Sequence, residues 1–136
     1  MKGINHFTAI VAAVVYFIFG AVWYTAFGTQ WLAGIGKTAQ QVQQDAPGAA
    51  PYLTCFLALL LVAYTLAWLM NRCGVTGAND GAKFGVTIAL GIVAAQLAIN
   101  YGFEGRSFAL WLINGGYALV GMTVSGGILG GWKKKA

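Results

Sequence analysis

Six side chains carry most of the chemistry available to this sequence. Gln96, Asn100 and Glu104 follow one another at intervals of four residues, which places them along one face of a helix. Arg106 comes two residues later, and Asn114 and Tyr117 share a helical face beyond it. A reversal of the chain around residues 104–107 brings Gln96 and Asn114 to a similar depth, ~10 Å below the turn. Gln96, Asn100, Asn114 and Tyr117 then form one hydrogen-bonded cluster capped by Glu104 and Arg106.

Two uses of such a cluster stand open. Amides and a phenol lining a cavity would bind a small polar solute or ion, because polar groups inside membrane helices often mark such pathways. The same groups would equally tie two helices together, each interhelical bond contributing roughly 0.6–2 kcal/mol. In that case Glu104 and Arg106 make an exposed turn ion pair of little energetic weight. Glu104 is also the one acid placed for general-base work, but no second carboxylate, catalytic triad, H-E-x-x-H or phosphate-cradling loop accompanies it. No catalytic residue is assigned, and an enzyme is the weakest expectation. His6 is the single histidine. A haem or metal would want further ligands from other helices, so neither cofactor nor metal is expected.

The elements that must position these groups are set by composition. The chain is 59% hydrophobic and 8% charged, with a mean hydropathy of +0.71. A soluble domain carries roughly 25% charged residues. Four apolar runs, 7–27, 51–70, 84–103 and 108–132, contain none of the eight Lys/Arg and three Asp/Glu residues. Each reaches the ~20 residues that a helix needs to cross a bilayer. Helices satisfy their own backbone polar groups there. The expected fold is therefore an all-α membrane protein, four transmembrane helices in an antiparallel bundle, forming one domain over residues 1–136. The first run is too long for the apolar core of a signal peptide and reads as a retained helix.

Smaller features add detail. Trp23 and Tyr24 end the first helix, where they either anchor at the interface or line the polar pocket. Thr38 is a plausible N-cap for a short polar helix reaching Asp45, before Pro47 and Gly48 break it. Trp31 and Leu32 of the same loop are placed to dip into the interface. Asp80 is a candidate cap for the third helix. Gly81 and Gly85, Gly126 and Gly130, and Gly127 and Gly131 are spaced four apart, and Gly121 and Ser125 extend a small-residue face. Such faces let membrane helices approach closely, whether inside one chain or between chains. Cys55 and Cys73 stand at opposite ends of one helix, ~27 Å apart, and cannot pair.

Lys and Arg are uneven between the two sides. Lys2, Arg72, Lys83, Lys133, Lys134 and Lys135 fall on one side, Lys37 and Arg106 on the other. The positive-inside rule then puts both termini in the cytoplasm. The last three lysines read as an anchor at anionic headgroups, not as a nucleic-acid site. The expected partners are the bilayer and a second copy or another membrane protein.

The opening "INHFTAIVAAVVYFIFGAVWYTAFGTQW" and the closing "FEGRSFALWLINGGYALVGMTVSGGILGGW" together resemble the bacterial family called domain of unknown function 1761. Asn5, Gly20, Trp23, Tyr24, Gly28 and Trp31 match the first pattern. Glu104, Gly105, Arg106, Leu112, Ile113, Asn114, Tyr117, Gly130 and Trp132 match the second. The resemblance implies a small four-helix protein of the bacterial inner membrane and implies no activity. Small multidrug exporters have an acid in the first helix, and small fluoride channels an arginine there. This first helix has neither. The functional expectation is a non-enzymatic oligomeric or accessory membrane subunit. A small homo-oligomeric channel or transporter with an outward vestibule is the alternative.

Overall fold

The computed structural model describes residues 3–133. Lys2, Lys134 and Lys135, three of the six residues behind the charge asymmetry, lie outside the described residues. Seven α-helices follow in order: α1 (His6–Ala26), α2 (Gly28–Ile35), α3 (Ala39–Asp45), α4 (Ala50–Arg72), α5 (Ala78–Ile88), α6 (Ala95–Glu104) and α7 (Phe108–Gly131). A π-helical segment, Ala89–Ala94, joins α5 to α6 without a break. Four helices are long and apolar enough to cross a membrane: α1, α4, the continuous Ala78–Glu104 and α7. The chain is an all-α membrane protein. Residues 3–5, the 73–77 connection and residues 132–133 form one face, termed here the terminal face. Residues 27–50 and the 104–107 turn form the opposite loop face.

The helix ends follow local chemistry. Asn5 caps α1 by accepting from the Thr8 amide, and Ser107 caps α7 by accepting from that of Leu110. Thr38 and Gln41 form a reciprocal capping box on α3, which satisfies two amides that no carbonyl can reach. Gly105 takes a left-handed φ of 67°, so the chain reverses between α6 and α7 with no side-chain penalty.

Two expectations are corrected. The loop before α4 holds two short helices, not one. Gly28 to Ile35 is helical because Trp31, Leu32 and Ile35 keep an apolar edge that folds back on the bundle, with Gly34 against the Leu110 side chain. The third span starts at Ala78, not near residue 84, and its cap is Gly77, with no side-chain bond. Asp80 lies inside the first turn, where a carboxylate still favours the positive end of the helix dipole. Lys83 is likewise within the helix. A long side chain at a span end snorkels to the interface, so it need not end the span.

The closest pairing is between α5 and α7. A Cβ at Gly81 would strike the Gly126 carbonyl, one at Gly126 the Gly81 carbonyl, one at Gly85 that of Met122, and one at Gly130 that of Gly77. The four-residue glycine spacings therefore serve contacts inside the chain. Residues buried on this side step by four through Gly81, Gly85 and Ala89, then by five to Ala94. The wider π turn keeps the face aimed at α7 over its whole length.

The start of α1 is tied to the end of α7. Thr8 Oγ1 donates to the Trp132 carbonyl at 3.2 Å and Asn5 Nδ2 to the same oxygen at 3.3 Å. These bonds occupy a carbonyl that the end of α7 leaves without an amide. Thr8 is 1% exposed. Thr8→Val keeps its shape and removes one bond, so a loss of about 1 kcal/mol is expected in unfolding from detergent micelles.

Candidate functional site

The polar groups gather near the loop face, around one amide. Asn114 on α7 accepts at Oδ1 from the Tyr24 hydroxyl and donates from Nδ2 to the Tyr101 hydroxyl, both at 2.7 Å. Tyr24 comes from α1 and Tyr101 from α6, so Asn114 clamps three helices. Tyr117 joins through its ring, 5.2 Å from that of Tyr24. Its hydroxyl donates to the Tyr16 carbonyl at 3.4 Å.

Trp23 and Tyr24 both point into the bundle. Trp23 Nε1 donates to the Ile113 carbonyl at 3.0 Å, and its ring fills the space left by Gly116. Trp111 Nε1 reaches the Ala94 carbonyl, where the π-helical segment ends, at 2.8 Å. An indole N–H held away from water needs such an acceptor. Trp31 of α2 lies edge-on to Tyr24 and covers the cluster from the loop side.

The structure does not bring all six sequence-selected groups together. Gln96 and Asn100 are exposed. Gln96 Nε2 donates to Asn100 Oδ1 at 3.2 Å, and neither amide reaches Asn114. Their side of the third span faces away from α7, whereas Ala94 and Tyr101 face toward it. Glu104 and Arg106 pair with each other at the turn, and the Arg106 guanidinium lies 5.6 Å from the Tyr101 ring centre. Both charged side chains line an open groove of 610 Å³ with Gly34, Gly36 and Ser107.

Tyr101, Tyr16 and Trp111 were not selected from the sequence. One signal was present. "YFIFG" at 16–20 and "YALVG" at 117–121 repeat tyrosine and glycine at the same spacing. In the structure they interlock. Tyr117 lies over Gly20 and Tyr16 over Gly121, with the two rings edge-to-face at 4.9 Å. Of the remaining candidates, Ser125 is buried beside the α5–α7 glycines, at 1% exposure. His6 Nδ1 lies 2.9 Å from the Tyr64 hydroxyl on α4. Among the described residues, no three His, Cys, Asp or Glu side chains gather to hold a metal ion. Cys55 and Cys73 are free and exposed.

A family model described as a protein of unknown function, DUF1761, matches residues 7–130. The chain belongs to the DUF1761 family. The match spans the clamp from Tyr24 to Tyr117 and the glycine seam of α5 and α7, so all four DUF1761 membrane helices lie within it but for one residue at each end of the bundle. No curated protein and no solved structure matches the chain.

Proposed function

We propose that this chain is a non-enzymatic membrane subunit, oligomeric or accessory to another membrane protein, in which the half-buried polar cluster holds the bundle together. The supporting observation is the engagement of Asn114. Its carbonyl end accepts from Tyr24 and its amide end donates to Tyr101, so each polar end makes a bond to another helix of the same chain. The setting that fits is the bacterial cytoplasmic membrane, with the terminal face inward. Among the described residues Arg72, Lys83 and Lys133 stand on that side, against Lys37 and Arg106 on the loop side, and cytoplasmic loops carry the excess of positive charge.

Asn114→Leu is the test. Two interhelical bonds at roughly 0.6–2 kcal/mol each should be lost. Unfolding from detergent is therefore expected to become easier by about 1–4 kcal/mol, and solute flux in liposomes should be unchanged. A wild-type flux that vanishes in Asn114→Leu at undiminished stability would overturn the reading.

The open groove at Glu104 and Arg106 favours a second reading, a vestibule for a small polar solute or ion. A solute that binds there raises thermal stability by mass action. Arg106→Gln should then remove the shift.

A further inference from the structure

We infer that the lipid-exposed face of α6, continued into the π-helical segment, is a homodimer interface that pairs the Gln96 and Asn100 amides of two copies. The third span is the least covered of the four: 17% of its most apolar stretch is buried, against 39% for the fourth. On that bare side Ile92, Gln96, Ile99 and Phe103 follow at steps of four, three and four. This is the spacing of a two-helix seam, in which alternate steps of three and four keep one edge facing a partner. Ile92 is 60%, Ile99 55% and Phe103 94% exposed. Asn100 flanks the same edge.

The amides specify the occupant. Gln96 lies eight residues from Glu104, ~12 Å of helix rise below the turn, within the hydrocarbon. The bond between Gln96 and Asn100 uses one donor and one acceptor. The other amide hydrogens and the Gln96 oxygen have no partner in the chain among the described residues. Lipid tails offer none, and unsatisfied polar groups are costly at that depth. An amide is both donor and acceptor, so it complements a copy of itself across a twofold axis. All copies share one membrane topology. The axis therefore stands along the membrane normal, and the two third spans run parallel. Each Gln96 then meets its counterpart, and a single amide in such a seam sets its register.

This inference deepens the reading as a subunit by naming its partner surface. Its test is separate from the stability and flux tests of that reading. Single cysteines are placed in a Cys55→Ser, Cys73→Ser chain reconstituted in liposomes. Gln96→Cys and Phe103→Cys are expected to form disulfide-linked dimers on mild oxidation at least about tenfold faster than Leu61→Cys on the exposed side of α4. In the native chain, Gln96→Leu combined with Asn100→Leu is expected to weaken dimerisation about tenfold, read by single-molecule photobleaching. The melting of the monomer should be unchanged, because both side chains are exposed. The inference fails if the wild type bleaches in one step at every density. It also fails if Leu61→Cys cross-links as fast as the seam positions, or if those positions cross-link only to another protein in native membranes.

Discussion

Gly85→Val is expected to be the most damaging single substitution in the bundle. A Cβ at position 85 would fall on the Met122 carbonyl, with the Thr123 Cα a further 3.1 Å contact. Overpacking a core typically costs 1–3 kcal/mol, and more when nothing can move aside. Here the obstacle is backbone. A side chain can change rotamer, but a helix carbonyl is held by its own ladder. The two helices must separate, and the contacts at Gly81, Gly126 and Gly130 are lost with them. A loss of about 3 kcal/mol or more follows, enough to leave little folded protein in detergent. Gly91→Val is the control. Nothing lies within 4 Å of a Cβ there, and its effect on the monomer should stay within about 0.5 kcal/mol. Unfolding by a denaturing detergent, followed by circular dichroism and by loss of compact mobility, measures both. Equal effects at the two positions would mean that α5 and α7 do not meet through these glycines.

Gly121→Val should rank second, at about 2–3 kcal/mol. The added carbon would overlap the Tyr16 ring. Tyr16 is 5% exposed, and the Tyr117 ring stands against it at 4.9 Å. Tyr117 is itself seated over Gly20, so neither ring has room to swing away. The obstacle is a side chain, however, and a second substitution can remove it. Tyr16→Ala alone should also destabilise, by leaving a cavity. The double variant should be more stable than the sum of the two losses by about 1 kcal/mol or more. Strict additivity in that cycle would show that Tyr16 and Gly121 are not in contact.

The membrane class, the four spans and the Thr38 cap could be read from the sequence because each depends on local composition. A run of some twenty residues without charge has few places to go but hydrocarbon. A threonine three residues before a glutamine supplies its own capping bonds. The glycine spacings were visible for the same reason, since residues four apart share a face whatever lies opposite. Their partners were not visible. Whether Gly81 met another part of this chain or another copy depended on a helix some forty residues away.

The polar cluster divides in the same manner. The four-residue spacing of Gln96, Asn100 and Glu104 was correctly a statement about one helix. It carried no information on which way that face would turn. The glycines of α5 and the five-residue step from Ala89 to Ala94 decided it. They hold Tyr101 toward Asn114 and leave Gln96 and Asn100 on the outside. Asn114 was legible as a member of an intramembrane polar cluster, while Tyr24 and Tyr101 as its two partners were not. Hydrogen-bond partners on different helices are chosen by rotation about the helix axes, and one residue of phase turns a face by about 100°. Sequence determined which helices form and which residues share a face. The tertiary packing of glycine against backbone determined which faces meet.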